Sequence, residues 1–323
     1  MKQTVISHLV VAVIAVSTIF TSCDKTPGSL EITRIENISI ENYPRVDGST
    51  SAEPLNLIIA AKLLGVKYKF YKGFGVSIPD VYYSGSVLWD KIRCSQTHNA
   101  IINLIDNQTD LIIVARKMSA DEKEYANNAG VSLIETPIAI DALDFILSAQ
   151  NSVNSLSVKQ IQNIYLGNIT NWNEVGGTNE EIIPFIRNVN SGSQEMMNEL
   201  VMNNTGIPDW TVSYADELTL SSMYIVYSEL MENTNGICFT PHYYKEYMVT
   251  GPNLNNIKTL AVNGILPDKT SIKREIYPFV APVYVSIRSD LAPNSMAYQL
   301  YEWLQTKSGK DVIAESGYVP YSK

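Results

Sequence analysis

Three short runs of hydroxyl residues, each leading straight into an apolar periodic stretch, carry the clearest chemical content of this sequence. The first lies in Asp47-Gly48-Ser49-Thr50-Ser51-Ala52-Glu53-Pro54, followed by Leu55, Leu57, Ile58, Ala61 and Leu64. The second is Ser95-Gln96-Thr97-His98, ahead of Ile101, Leu104 and Ile105. The third is Ser191-Gly192-Ser193-Gln194, ahead of Met197, Leu200 and Val201. Ser and Thr are common helix caps, and Pro is tolerated in a first turn, so each run alone reads as a helix start. A helix start also presents unpaired N–H groups carrying roughly half a positive charge, and nearby hydroxyls add neutral donors. Arg187, four residues before Ser191, supplies a planar guanidinium fork suited to an oxyanion. Together these residues predict a buried anion site holding one full positive charge.

The elements that must bring them together alternate along the chain. Strand patterns fall at Val66 to Tyr71, Leu111 to Val114, Ile138 to Leu147, Ile182 to Ile186, Ile237 to Phe239, Ile257 to Val262 and Val283 to Ile287. Helical patterns separate them at Leu55 to Leu64, Asn99 to Ile105, Val158 to Tyr165, Gln194 to Met202, Ser222 to Met231 and Ser295 to Leu304. Such alternation predicts an α/β architecture with mostly parallel sheets. Ligands of such sheets sit at the carboxyl ends of the strands, where helix amino termini converge.

The 323 residues, 45% apolar and 18% charged, fit a globular chain of about two domains. A formal charge of −9 argues against nucleic acid as a partner, which needs a broad basic face. His98 and His242 are the only histidines beyond the first 22 residues, and no second histidine stands at metal-ligand spacing. Neither a metal nor a cofactor is expected. The GxSxG, P-loop and HExxH patterns are missing, and no Ser-x-x-Lys follows the leader, so the chain is not expected to be an enzyme. Tyr224, Tyr227, Tyr243, Tyr244 and Tyr247 fall on helical patterns and are expected to pack rather than bind, as are Trp172 and Trp210. Tyr82, Tyr83 and Trp89 lie in an aperiodic segment, Ile78 to Cys94, that reads as an insertion beside a cleft.

Residues 1–22 form a leader, with Lys2 ahead of an apolar run from Val5 to Phe20 too short to span a membrane as a helix. Phe20-Thr21-Ser22-Cys23 resembles the lipobox of bacterial lipoproteins, which implies lipidation of Cys23 and export to the cell envelope, on the periplasmic face or the cell surface. Residues 23–41 read as a tether. Cys94 and Cys238 then remain, and two buried, unbridged thiols are expected.

The motifs resemble those of the periplasmic phosphate-binding proteins of ABC transporters, in the type 2 periplasmic-binding-protein superfamily. The resemblance rests on residues 43–51, on Ser95-Gln96-Thr97-His98, and on Asp110-Leu111-Ile112. It continues through Ile164-Tyr165-Leu166-Gly167-Asn168-Ile169-Thr170-Asn171-Trp172, Arg187 to Gln194, and Gly236-Ile237-Cys238-Phe239. It implies a two-lobed fold, with residues 42–138 plus 277–323 as lobe 1 and 139–276 as lobe 2. The crossings are expected near Glu135 to Ile140 and Ile276 to Pro278, with Asp141 and Asp144 making hydrogen bonds at the hinge. The implied anion ligands are Thr50, Ser51, Thr97, Arg187, Ser191, Gly192 and Ser193, with Ser49, His98 and Arg116 as further candidates.

In this family a carboxylate that accepts the proton of hydrogen phosphate follows the strand beginning at Asp110. Here Arg116 takes its place, and Val189 replaces a second carboxylate. The resemblance therefore implies a monomeric receptor for a small oxyanion, phosphate first and sulfate-like ions next, serving an ABC permease. A signalling or adhesive surface lipoprotein on the same scaffold is the alternative.

Overall fold

The computed structural model describes residues 32–71, 76–189, 191–207, 219–220, 223–249 and 252–322. Residues 1–22, expected to be a leader, lie outside them, as do Cys23 and Trp210. Six strands matter to the site: β1 (Val46–Gly48), β2 (Leu111–Val114), β3 (Leu133–Ser148), β4 (Ile183–Pro184), β5 (Gly236–Pro241) and β6 (Val280–Arg288). The helices that matter are α1 (Glu53–Leu64), α2 (Thr97–Ile105), α3 (Ala120–Asn128) and α4 (Gly192–Met196), the last continuing as a wider π turn over Met197–Val201.

β2 shows why the sequence folds this way. Its four residues are all apolar, and alternate side chains enter different cores. Leu111 and Ile113 join the cluster around Leu55, Ile58 and Ile59 of α1, whereas Ile112 and Val114 join Ala100, Ile101, Leu104 and Ile105 of α2. A strand covered on both faces has no need of polar alternation. β1 lies parallel to β2, and Gly48 permits their close approach, because a Cβ there would collide with the carbonyl of Ile113. β4 lies parallel to β5 in the other half of the sheet.

Two antiparallel strands join these parallel pairs. β6 pairs with β2 on one side and with β3 on the other. β3, sixteen residues long, pairs with β6 from Leu133 to Ala142 and with β5 from Leu143 to Leu147. The strand thus changes partners at Ala142–Leu143. Leu143 N–H donates to Phe279 O at 2.9 Å, placing the returning chain immediately before β6. Past this point a separate core gathers Phe145, Leu147, Tyr165, Trp172 and Phe239.

Part of the stretch expected to be a tether is packed instead. Ile32, Ile35, Ile38 and Ile40 lie against the core around α1, and Trp303 Nε1 donates to Thr33 O at 2.6 Å. Nor is Ile78 to Cys94 aperiodic throughout: a hairpin strand covers Val76–Pro79 and a helical turn covers Val87–Lys91, where Ser86 Oγ accepts from Trp89 N–H. Cys238 is buried and Cys94 only partly so, and both are free thiols, each pushed up to about 12 with burial as the main cause.

Where β3 changes partners, two buried carboxylates stand close together. Asp141 Oδ1 accepts from the N–H groups of Ala142, at 2.8 Å, and Tyr243, at 3.0 Å. Asp144 Oδ2 lies 3.0 Å from His242 Nδ1 and 3.2 Å from Lys245 Nζ. Burial pushes Asp141 up to about 6, against the pull of His242. Burial of His242 disfavours its charge, but Asp144 outweighs this and raises its pKa.

The folded state therefore holds these protons more tightly than the unfolded chain does. The stability contributed by Asp141 is present below its ordinary value of 3.8 and is lost as pH rises toward 6. That of His242 is lost at higher pH, through its raised folded value. Asp141→Asn keeps the acceptor but cannot ionise, so its melting temperature should exceed wild type at about pH 7.5 and converge with it near pH 4. Thermal unfolding at both pH values checks this, and an equal shift at both would assign the effect to packing.

Candidate functional site

A cavity of about 280 Å³ opens at the carboxyl ends of β1, β2 and β5. Ser49 follows β1, Ala115 follows β2 and Pro241 ends β5, and all three line it. The chain enters helix α1 through a tighter turn, Thr50–Ala52, for which Ser49 is the cap residue. The hydroxyl of Ser49 does not cap its own turn. It accepts from Ala115 N–H at 3.0 Å and lies 2.8 Å from Thr97 Oγ1. The first N–H groups of a helix have no partner within it, so those of Thr50 and Ser51 stand outside the ladder of α1.

Helix α2 begins at Thr97, 3% exposed. Its cap residue, Gln96, has φ of +69° and ψ of 166°, a region that a side chain disfavours by about 1–3 kcal/mol. Gln96 lines the cavity, so this backbone strain sits at the site itself. The third helix start is built differently. Ser191 Oγ accepts from Gln194 N–H at 3.1 Å, and the side-chain oxygen of Gln194 accepts from Arg187 N–H at 2.9 Å. Arg187 Nη1 then donates to Ser193 Oγ at 3.3 Å. Gly192 lies so close to Thr97 that a Cβ on it would collide with Thr97 Oγ1, so the second and third starts are in direct contact.

Ser49, Thr50, Ser51, Thr97, His98, Arg187, Ser191, Gly192 and Ser193 all line the one cavity. Arg116 does not. Its guanidinium forms two hydrogen bonds to Glu122, at 2.7 and 2.9 Å, and one to the carbonyl of Lys117. Glu122 in turn lies 2.8 Å from His98 Nδ1 and accepts from Ser119 N–H. The direction of Arg116 is set by a helix that hydrophobic periodicity does not reveal. Its signature was nevertheless present, since Ser119 and Glu122 form the S-x-x-E box at the start of α3.

Tyr224 and Tyr244, expected to pack, also line the cavity, Tyr224 at 61% exposed. Tyr243 is buried as expected, stacked on Tyr318 with ring centroids 3.9 Å apart. Tyr244 follows shortly after β5, a position that the strand-end rule singles out.

Arg187 is 5% exposed, and burial lowers its pKa, with Cys238 and Tyr244 opposing the shift. An anion beside it would restore the stabilisation that burial removed. Among the described residues the wall contains no carboxylate, and Val189 occupies it with 81% exposure. Such a wall offers a guanidinium, hydroxyls and helix-start N–H groups to an oxyanion and no negative charge against it.

Residues 25–308 match the family model described as the PBP superfamily domain. The chain is 25% identical over 243 residues to protein SphX of Synechococcus elongatus, covering 71% of this chain and 68% of that protein. It is also 25% identical over 242 residues to the phosphate-binding protein PstS of Borreliella burgdorferi, covering 72% and 79% respectively. A phosphate ABC transporter substrate-binding protein from Clostridium perfringens, solved with bound phosphate, superposes with a TM-score of 0.62 at 21% identity, over 87% of this chain and 100% of that one. An ABC-type phosphate transport receptor from Vibrio cholerae gives 0.58 at 20% identity, over 85% and 98%. With a family model spanning most of its length and this mixed α/β architecture, the chain belongs to the PBP (periplasmic binding protein) superfamily.

Proposed function

We propose that this protein captures a small tetrahedral oxyanion, phosphate first, in the cavity around Arg187 and delivers it to an ABC permease. The observation that carries this reading is the convergence of three helix starts on one buried guanidinium. The relatives named for phosphate binding support the choice of ion. Residues 42–138 with 277–323, and residues 139–276, act as two lobes. Ser49, Thr50, Ser51 and Thr97 belong to the first, and Arg187 to Ser193 belong to the second. An anion held by both lobes stabilises the closed arrangement by its differential affinity for it, and the closed form is what the permease reads. The protein is exported, loses residues 1–22 and is held in the envelope by acyl chains on Cys23. It works as a monomer and performs no catalysis.

A hydrogen-bonding carboxylate would repel sulfate and accept the proton of hydrogen phosphate. No such group lines this wall among the described residues, so sulfate competes here. The exposed side chains of Tyr83, Val87 and Trp89 favour a second reading, a surface lipoprotein that signals or adheres and has given up transport.

Arg187→Ala should weaken phosphate binding about a hundredfold, or about 3 kcal/mol, while the circular dichroism of the fold is unchanged. Equal affinity in the variant, measured by calorimetry, would move the site elsewhere. Sulfate should bind within about 4 kcal/mol of phosphate in the same instrument. A protein whose melting temperature responds to neither ion would favour the second reading. Cys23→Ser should move the protein from the membrane fraction to the soluble one, and unchanged fractionation would remove the lipid anchor from this account.

A further inference from the structure

Glu122 is fully buried and holds two side-chain partners. Arg116 meets it with two nitrogens, and His98 Nδ1 lies 2.8 Å from its Oε1. Although burial alone would raise the pKa of Glu122, Arg116, Ser119 N–H and His98 lower it on balance, so the carboxylate is ionised and only accepts. His98 Nδ1 must therefore carry a hydrogen. This fixes the tautomer: in neutral His98 the other nitrogen, Nε2, is a bare acceptor, and in protonated His98 it is a donor. His98 lines the cavity, whereas Glu122 and Arg116 do not. With Nδ1 turned to Glu122, Nε2 is the ring nitrogen left for another partner.

We propose that His98, positioned by Glu122 and Arg116, is the proton-reading group of the anion site and takes the place of a carboxylate acceptor. This rests on the oxyanion reading given above and deepens it. Neutral His98 accepts the P–OH hydrogen of a protonated phosphate and opposes a sulfate, which has no hydrogen to give. Protonated His98 donates to either ion. Selectivity for phosphate over sulfate accordingly rises with pH, and sulfate binding draws a proton onto the protein. No bond to phosphorus or sulfur is made or broken; the proton comes from solvent and returns to it on release.

The groups that bear on this titration come from several elements. Helix α2 contributes no other charged side chain. Glu122 and Asp121 come from α3, and Arg116 from the segment before it. Glu195 of α4 feels Arg116, Glu122 and Asp121. Arg187, Tyr224 and Tyr244 share the cavity wall with His98.

Sulfate remains a dianion from about pH 5.5 to 8.5, so any pH dependence of its affinity belongs to the protein. Calorimetry on the intact protein should show sulfate affinity falling at least about tenfold over that range, and phosphate falling less. In His98→Gln the sulfate profile should flatten to within about threefold. Titration of the wild type with sulfate in buffers of differing ionisation enthalpy should show proton uptake on binding, a readout that does not depend on a variant. Sulfate profiles that coincide in wild type and His98→Gln, or binding without proton uptake, would overturn the assignment of His98 while leaving the oxyanion site standing. Failure of both ions to bind wild type even at about pH 5.5 would overturn the oxyanion reading itself, and this inference with it.

Discussion

Everything in the site depends on one buried hydroxyl. Ser49 Oγ joins the end of β1 to the start of α2 through Thr97 and to the end of β2 through Ala115 N–H. Three chain segments far apart in sequence are thereby fixed within hydrogen-bond reach of one another. The usual task of a cap serine is to satisfy its own helix. Here that task is left undone, so no side chain caps the N–H groups of Thr50 and Ser51, two residues that line the cavity, while Ala52 N–H donates to the carbonyl of Ser49. Gly192 adds the fourth segment, since only a residue without a Cβ lets the third helix start rest on Thr97. The convergence of these segments on one cavity is therefore the product of packing constraints.

Charge then explains how an acidic chain presents such a site. At physiological ionic strength, charges more than about 8 Å apart across solvent are largely screened, so the net −9 acts weakly on the interior. At about 4 Å in a partly buried setting, a guanidinium attracts a unit anion by roughly 4 kcal/mol, against about 1 in water. Local geometry outweighs the global balance. The lowered pKa of Arg187 points the same way, because burial leaves the charged form short of the stabilisation that an anion supplies.

Much of this was legible in the residues. Leu111 to Val114 and Val158 to Tyr165 coincide with their elements because an unbroken apolar run and a capped amphipathic stretch each have one solution. The hydroxyl starts and Arg187 were legible because their chemistry is local. What escaped notice depends on distant partners. Helix α3 buries only Glu122 and Ala126, so its pattern is polar and its importance lies in a carboxylate that Arg116 and His98 share. The partner change in β3 is silent, since residues on either side of Ala142–Leu143 are buried alike. The isoleucines from Ile32 to Ile40 dock without a helix or strand to give them a period.

Helix α4 also comes close to Arg116 and α3, and the charges there do not all attract. Glu195, from α4, is half-buried; burial raises its pKa, Arg116 pulls it down, and Glu122 and Asp121 push it up again. Arg116 is engaged by Glu122 through two hydrogen bonds and is also the main group favouring the ionised form of Glu195. Burial outweighs the pull of Arg116 and leaves the ionised form of Glu195 disfavoured. The contact between Gly192 and Thr97 is a fit of shapes, with no charge in it. In the proposed receptor, an anion touching Arg187 on one side and the starts of α1 and α2 on the other would add a charge interaction that this fit of shapes lacks. A ligand shifts an equilibrium between two forms only by its differential affinity for them.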